Sequence, residues 1–451
     1  MIRKMRAAAV LLVAAVGAAW AWRGARRPNV LLITVDAVRA DYVSADTTPH
    51  LERLAEQGVR FTQAVTDAPW TRAAMASVMT GRYGSHHHVE GPFDRLADAE
   101  LTMAEQFRAA GYLTAAVVSS YQLESVFQLD QGFTIYDERL DAPVVTMSTE
   151  RTLHVPGLFY GNVADDAEWR RRKLQADAMR DADETTDAAI GVLRRVGVRP
   201  FFLWVHYFGA HERWPIGTGL TSLVMSYRPA VEQTDREVGR LLDVLDRLGM
   251  AGNTIVVLHG DHGQELLDHG GFGHGDSLYE PALRVPLLMR WPGRLPAGRR
   301  IDALTRLVDM FPTVAELSGL RLPPALDGNS LVPMLRGASA SVEAEAYCET
   351  FLAALRAASV ATSEPDAAPL RFGFIRRGIR TERWKYIRSI PSPLLDVAPV
   401  VSLPAEMQRT LATDELYDLQ QDPREQHNLA GAQPAVVADL RARLDRHAHY
   451  Q

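Results

Sequence analysis

Acidic and imidazole side chains follow strand-like apolar runs in this chain. Asp36 comes directly after the run Val30 to Val35, and Asp261 with His262 lies just past the run that begins at Thr254. Because ligands of open parallel sheets bind outside the carboxyl ends of the strands, we predict that these side chains meet at one sheet edge. An adjacent carboxylate and imidazole can bind one divalent ion there. Taken singly, an Asp at such a position can also be a turn residue or a helix cap.

Thr71 is placed where a helix end could hold negative charge. An Ala- and Met-rich stretch with good helix propensity follows it and is closed by Gly81, which predicts a helix that begins at Thr71. The helix macrodipole favours an anionic oxygen or a bound oxyanion at that end. A threonine in this position is also a common helix cap, so the residues alone leave both roles open.

The elements that must position these side chains alternate along the chain. A further apolar run, Phe201 to Val205, is followed by His206, which we interpret as a core or supporting histidine. Helical segments separate the runs, for example those that begin at Pro49 and Leu101 and the one from Val231 to Leu248. This alternation predicts an α/β fold with a mostly parallel sheet flanked by helices.

The stretch from about Glu343 onward differs in amino-acid composition from the preceding part of the chain. It contains many Ala, Ser and Pro residues through position 369, and then two short runs, Arg371 to Ile379 and Trp384 to Ile387, that are typical of antiparallel strands. We therefore predict an α/β catalytic domain over residues 28–340 and a small antiparallel-sheet subdomain over residues 341–451.

Residues 1–27 carry a targeting pattern. Basic residues precede an apolar run from Ala7 to Trp22, and further arginines follow it. This is the pattern of a secretory signal or of an uncleaved membrane anchor. We expect an extracytoplasmic protein, on the periplasmic or secreted side, that is anchored in the membrane through its N-terminus; cleavage near Ala19 to Ala21 is the alternative.

The overall composition is that of an enzyme-sized globular protein. The chain has 451 residues, of which 47% are hydrophobic and 23% charged, so neither disorder nor a multi-span membrane protein is indicated. The formal net charge of -6 argues against a nucleic-acid partner. The single cysteine, Cys348, excludes an intramolecular disulfide.

Several blocks of sequence occur in a fixed order from residue 29 to the C-terminal region. They are Asn29 to Asp41, Thr48 to Phe61, Trp70 to Tyr83, Val256 to Pro286, Ile379 to Ile387 and Glu415 to Leu419. Together they resemble the sulfatase family within the alkaline phosphatase superfamily. The resemblance implies an alkaline-phosphatase-like fold and a metal-dependent hydrolase of sulfate- or phosphate-type esters.

The resemblance also indicates a nucleophile. In the family it lies in Cys/Ser-x-Pro-Ser-Arg, nine residues before Thr-Gly-Arg, and counting back from Thr80 reaches Thr71. The residues after Thr71 do not match the Pro, Ser and Arg of that motif, and threonine cannot yield the formylglycine aldehyde that is made from Cys or Ser. A threonine can still attack as an alkoxide when a metal lowers its pKa, which favours phosphoester or phosphonate cleavage.

The ligand set implied by the resemblance is a single divalent ion bound by Asp36, Asp261, His262 and the oxygen of Thr71. Relatives with two metals carry an Asp where this chain has Tyr207, so one ion is expected. The family resemblance favours Ca, whereas the mixture of carboxylates, a hydroxyl and an imidazole also suits Mg, Mn or Zn.

His211 and His274 stand where the resemblance implies donors to the substrate oxyanion or to the leaving group. The expected substrate is a small-molecule, glycan-linked or lipid-linked sulfate or phosphate ester. The alternatives are a sulfatase proper, a phosphotransferase at the membrane surface that uses Thr71 as a covalent way-station, and a non-catalytic relative.

Overall fold

The strands and helices of the chain are defined over most of its length. The computed structural model describes residues 27–91, 94–140, 142–144, 177–197, 199–210, 220–337, 345–351, 374–391 and 414–447. Within these ranges the strands are β1 (Asn29–Val35), β2 (Val59–Val65), β3 (Leu113–Val117), β4 (Ile135–Asp137), β5 (Ala142–Val144), β6 (Asp177–Met179), β7 (Phe201–Tyr207), β8 (Thr254–Gly260), β9 (Glu265–Leu266), β10 (Phe272–Gly273), β11 (Leu287–Arg290), β12 (Arg299–Arg306), β13 (Glu345–Thr350), β14 (Phe374–Thr381), β15 (Trp384–Pro391) and β16 (Asp414–Asp418). The helices are α1 (Pro49–Glu56), α2 (Thr71–Thr80), α3 (Gly84–His87), α4 (Met103–Ala109), α5 (Ala182–Leu193), α6 (Leu220–Arg247), α7 (Glu280–Leu283), α8 (Met310–Leu317), α9 (Val332–Leu335) and α10 (Pro434–His447).

The larger sheet has eight strands in the order β12-β2-β11-β8-β1-β7-β3-β4. Neighbouring strands run parallel, except that β11 is antiparallel to both β2 and β8. The prediction of a mostly parallel sheet is therefore confirmed. Its central strands are near-continuous apolar runs because both faces are covered by helices.

Alternate residues of each strand enter different helical layers. In β1, Val30 and Leu32 pack in one core cluster with residues of α2, α4 and α8, whereas Leu31 and Ile33 pack in another with residues of α1, α5 and α6. The two-residue period of a strand therefore decides on which side of the sheet a polar residue at its end will lie.

Helix α2 begins and ends as the sequence predicts. Trp70 is its N-cap in extended conformation, Thr71 is the first helical residue, and Gly81 ends the helix at a φ of 67°. That left-handed conformation is open to glycine without strain, which explains the stop. All ten residues of α2 are buried.

Strands β13, β14, β15 and β16 form an antiparallel sheet in that order, which we call the C-terminal sheet. Helix α10 packs against it through Val437, Leu440 and Leu444. The antiparallel strands predicted for the end of the chain are thus confirmed, and a division of domains at residue 340 stays a prediction.

No helix within the described ranges combines the length and the apolar character needed to cross a bilayer. Residues 7–22, where the sequence predicts a membrane segment, lie outside those ranges.

Candidate active site and cation cluster

The register of the central strands brings two carboxylates together with an imidazole. Asp36 and Asp261 each follow the last register pair of β1 and β8, so they lie side by side. His206 of β7 pairs with Thr34, two residues before Asp36, and therefore points to the same face of the sheet. The three side chains are buried, and their ligand atoms lie within 4.8 Å of one another.

Backbone amides orient the Asp261 carboxylate. Its Oδ1 accepts hydrogen bonds from the N–H groups of Ala37, at 3.1 Å, and His262, at 2.8 Å. Ala37 has a φ of 56°, which is uncommon for a residue with a Cβ, and this turn directs its amide toward Asp261. The second oxygen, Oδ2, is left for the interior of the cluster.

Hydrogen bonds assign the tautomers of two histidines. The Ser119 hydroxyl donates to the His206 carbonyl oxygen at 2.5 Å, so it accepts from His206 Nδ1 at 3.2 Å. His262 Nδ1 lies 2.9 Å from the carbonyl oxygen of Gly263, which can only accept. In both rings Nδ1 carries the proton, and the lone pair is therefore on Nε2.

Both Nε2 lone pairs face the carboxylates. His206 Nε2 lies 3.6 Å from Asp36 Oδ2 and 4.0 Å from Asp261 Oδ2, and His262 Nε2 lies 3.4 Å from Asp36 Oδ1 and 3.7 Å from Asp261 Oδ2. Asp36 Oδ1, Asp261 Oδ2 and His206 Nε2 are buried without a hydrogen-bond partner. Acceptors that converge in the interior without a donor repel one another unless a cation lies between them. These residues therefore fit a divalent ion.

Burial is the main cause of the pKa shifts of Asp36 and His206. Burial raises the pKa of Asp36 well above its usual range, the charge of Asp261 raises it further, and the hydrogen bond from Thr71 opposes the shift. Burial lowers the pKa of His206 to about 4, so its ring is neutral at neutral pH and its lone pair is free to bind a metal.

Thr71 reaches this cluster from the first turn of α2. Its hydroxyl donates to Asp36 Oδ2 at 3.3 Å and lies 3.3 Å from His262 Nε2. The residue is only 3% exposed. The positive end of the helix macrodipole therefore acts at the same point as the cluster, which suits an anionic Thr71 oxygen.

His274 lies beside the cluster, and its ring stacks on that of His262 with centroids 4.3 Å apart and an interplanar angle of 29°. His274 is half-buried and lies in the loop that follows β10. His211, the other predicted donor, lies outside the described residues.

The structure brings together Asp36, Thr71, Asp261 and His262, the four residues that the sequence singled out as ligands. It also adds His206, which the sequence analysis interpreted as a core or supporting residue. The available signal was its place after an apolar run, at the same predicted edge as Asp36. That signal does not distinguish a ligand from a core histidine without the register of β7 against β1.

Comparison with known proteins identifies the family. A family model described as Sulfatase matches residues 28–320. The chain is similar to the steryl-sulfatase of Rattus norvegicus, with 30% identity over 429 residues that cover 73% of this chain and 74% of the rat protein.

Solved structures share the fold. The phosphonate monoester hydrolase of Agrobacterium radiobacter superposes with a TM-score of 0.69 at 22% identity, covering 93% of this chain and 95% of that one. A protein solved in complex with its substrate D-glucosamine-2-N,6-O-disulfate superposes with a TM-score of 0.66 at 19% identity, covering 93% and 97%. The solved structures share an alkaline-phosphatase-like fold with this chain, and the family match shows that the chain belongs to the sulfatase family of ester hydrolases.

Proposed function

We propose that this protein cleaves phosphate or phosphonate esters in preference to sulfate esters, with Thr71 as the nucleophile. The observation that carries the proposal is the position of the Thr71 hydroxyl, 3.3 Å from Asp36 Oδ2 and 3.3 Å from His262 Nε2 at the start of α2. A hydroxyl in this place is oriented by a carboxylate and supported by a helix dipole, which are two of the conditions for an alkoxide nucleophile.

The identity of the nucleophile favours phosphorus over sulfur. The Cβ of threonine carries a methyl group, so oxidation of its alcohol would give a ketone and not the aldehyde of formylglycine. Without a hydrated aldehyde, a sulfated Thr71 has no elimination route and would have to be attacked at a crowded sulfur. A phosphorylated Thr71 can instead be hydrolysed by in-line attack at phosphorus.

The remaining residues supply orientation, charge and a proton. Asp36 Oδ2 accepts the hydrogen bond of the Thr71 hydroxyl and so directs it into the cluster. A divalent cation held by Asp36, His206, Asp261, His262 and the Thr71 oxygen would lower the pKa of the hydroxyl and draw the substrate oxyanion to it. His274 is near enough to His262 to donate a hydrogen bond to that oxyanion or a proton to the leaving group.

The donor set bears on which metal is bound. Ca prefers ligand sets made only of oxygen, whereas imidazole nitrogens suit Mn or Zn. His206 adds a second imidazole to the one that the sequence predicted. We therefore propose Mn or Zn, in place of the Ca that the family resemblance favours.

The names of the relatives suggest the class of substrate. They include a steryl-sulfatase, a phosphonate monoester hydrolase and a protein that binds a sulfated glucosamine. We propose for this chain a small-molecule, glycan-linked or lipid-linked ester with one anionic phosphorus or sulfur centre.

The N-terminal segment supports a location at the outer face of a membrane. Basic residues flank the apolar run from Ala7 to Trp22 on both sides. The backbone carbonyl of Arg27 accepts a hydrogen bond from Asn253 at 3.1 Å, beside the start of β8, so the chain enters the sheet at its amino edge. If the run is anchored, the amino edge faces the membrane and the Thr71 cluster faces away from it.

The test is a panel of esters that share one leaving group: 4-nitrophenyl sulfate, phosphate, phosphodiester and phenylphosphonate, each with Ca, Mg, Mn or Zn. We expect the full-length protein to turn over the phosphorus esters faster than the sulfate. Thr71→Ala should lower kcat by about 10³-fold or more, and Thr71→Ser should stay within roughly tenfold of the wild type, because it keeps the hydroxyl.

Mass spectrometry separates this mechanism from that of a sulfatase. Rapid quenching during phosphoester turnover should reveal a phosphoryl adduct on the peptide that holds Thr71. Efficient multiple turnover of the sulfate ester, with slow phosphoester cleavage and no adduct, would refute the proposal and favour a sulfatase proper.

A further inference from the structure

The loop that carries His274 has a glycine on each side of this histidine. Gly273 and Gly275, on either side of His274, have φ angles of 95° and 89°. Glycine occupies this left-handed region at no steric cost, but it also has the largest conformational freedom to lose. The position of the imidazole therefore depends on contacts from outside the loop.

The C-terminal sheet makes these contacts with two side chains. The hydroxyl of Thr350, in β13, donates to the carbonyl oxygen of Gly275 at 2.5 Å. The guanidinium of Arg376, in β14, donates to the carbonyl oxygen of Asp276. Thr350 and Arg376 are a register pair of the two strands, so adjacent donors bind consecutive carbonyls directly after His274.

A buried group of charges attaches the same sheet to the end of the loop. Lys385 Nζ lies 2.8 Å from Glu280 Oε1 and 2.9 Å from Glu425 Oε1, and Arg380 Nε lies 3.2 Å from Glu280 Oε1. Lys385 and Glu425 have no exposed side-chain surface. Glu280 begins helix α7, directly after the loop, so these ion pairs connect the sheet that carries Thr350 and Arg376 to the end of the loop.

The contacts from the C-terminal sheet affect the position of the His274 ring, which stacks on His262. A shift of the Gly275 carbonyl would move the His274 ring relative to His262, whose Nε2 faces the Thr71 hydroxyl at 3.3 Å. A donor to a developing oxyanion loses most of its effect when displaced by about 1 Å.

We propose that Thr350 and Arg376 are positioning residues through which the C-terminal sheet holds His274 in place for the reaction. The inference rests on the proposed role of His274 as a donor. Thr350 is 1% exposed, so the Gly275 carbonyl would be left buried without its donor when the Thr350 hydroxyl is removed.

The test is a double-mutant cycle on the full-length protein. Thr350→Val removes the hydroxyl with little change of shape and should lower kcat for the 4-nitrophenyl phosphorus ester by about tenfold. Metal content and KM should change little. Thr350→Ser keeps the hydroxyl and should stay within roughly twofold of the wild type. In a His274→Ala background, Thr350→Val should have no further effect, because the group that it positions is gone.

Thr381 provides the matched control. It lies at the other end of β14, and its hydroxyl donates to the carbonyl of Trp384 at 3.2 Å in the turn before β15. The same hydroxyl accepts from the N–H of Arg383 at 3.3 Å and of Trp384 at 2.8 Å. Thr381→Val therefore removes hydrogen bonds from the same sheet at a distance from His274 and should leave kcat unchanged, even where it lowers Tm.

Each outcome bears on a different claim. An equal loss of kcat from Thr350→Val with and without His274 would overturn the positioning role, as would wild-type activity in Thr350→Val. Wild-type activity in His274→Ala would instead overturn the donor role of His274 in the proposed function. Should Thr350→Val fail to fold, Arg376→Leu removes the neighbouring donor, and the same cycle decides.

Discussion

His206 lies in a strand of otherwise apolar and aromatic residues, and its ring faces the carboxylates of Asp36 and Asp261. Its proposed role as a metal ligand rests on two hydrogen bonds. The Ser119 hydroxyl accepts a hydrogen bond from His206 Nδ1–H and donates one to the His206 carbonyl, which leaves the Nε2 lone pair to face Asp36 and Asp261. A neutral imidazole fixed in this way is a typical metal ligand.

We expect His206→Ala to weaken metal binding by roughly 10²-fold or more, because even the partners behind metal ligands contribute about 10–100-fold. Bound metal after dialysis and the rise of Tm on adding Mn or Zn would both report the loss. His87→Ala is the matched control, since His87 is another buried histidine. Its Nε2 lies within hydrogen-bond distance of Ser77 Oγ, at 2.9 Å, and away from the cluster. Wild-type affinity in His206→Ala, or an equal loss in His87→Ala, would contradict the assignment.

At the scale of elements, helix α2 determines where Thr71, the proposed nucleophile, points. Trp70 before it is extended and Gly81 after it is left-handed, so both ends of the helix are fixed. A shift of the sequence by one residue along this helix would turn Thr71 by about 100° around the helix axis and away from Asp36. The local residues at the two ends thus fix the direction of the Thr71 side chain.

Strand β13 joins the C-terminal sheet to the segment before α2 and carries a buried acid. The N–H of Glu349 donates to the Asp67 carbonyl at 2.8 Å, and the Glu349 carboxylate accepts from the Tyr347 hydroxyl at 2.5 Å. Burial, reinforced by the charge of Glu90, raises the pKa of Glu349 from its ordinary 4.5 to about 8. Its neutral form is therefore favoured in the folded protein.

The sign of the pH effect follows from linkage. Because its pKa is higher in the folded state, the contribution of Glu349 to stability is fully present below pH 4.5 and is lost as the pH rises through about 8. Glu349→Gln removes the cost of ionisation, so we expect its Tm to exceed that of the wild type by roughly 1–4 °C at pH 8.5 and by little at pH 5.

Glu345, at the start of the same strand, serves as the control for this prediction. Its carboxylate contacts Arg443 at 3.4 Å and His447 at 3.3 Å near the surface. Glu345→Gln should show no gain of Tm between pH 5 and pH 8.5. A gain in Glu349→Gln that is independent of pH would contradict the burial argument.

At the scale of the whole molecule, Arg27 and the Thr71 cluster lie at opposite edges of the eight-stranded sheet. Strand β1 has seven residues and spans about 23 Å. The chain between Trp22 and Arg27 can bridge at most roughly 17 Å. If residues 7–22 are anchored, the amino edge lies close to the bilayer, and the Thr71 cluster opens toward the aqueous side about one strand length farther out.

Energy transfer to acceptor-labelled lipids would test this orientation in membrane-bound full-length protein. Ala109, at the end of α4 before β3, and Ala45, in the loop after β1, are both exposed alanines, at the amino and carboxyl edges respectively. We expect a dye on Ala109→Cys to transfer more energy than one on Ala45→Cys.

The native cysteine does not interfere with this labelling. Cys348 is 2% exposed, and burial raises the pKa of its thiol to about 12, so it reacts slowly. Greater transfer from Ala45→Cys would reverse the orientation, and a protein that does not associate with membranes would refute the anchor.

The sequence by itself determined the fold class and most of the cluster, because these depend on local patterns. Apolar runs of strand length predicted the mostly parallel sheet, and residues at the run ends, Asp36, Asp261 and His262, proved to lie together. Helix propensity and a closing glycine placed Thr71 at a helix start.

Only the tertiary structure decided that His206 lies with the two carboxylates and that the C-terminal sheet contacts the loop of His274. His206 lies inside a continuous buried strand, where residue type cannot distinguish a core position from a candidate ligand; the register of β7 against β1 places its ring beside the two carboxylates. The carbonyls of Gly275 and Asp276, directly after His274, accept hydrogen bonds from Thr350 and Arg376, which are 75 and 100 residues away in sequence. No local pattern encodes such contacts, because they join residues that are far apart in sequence and adjacent only in the folded chain.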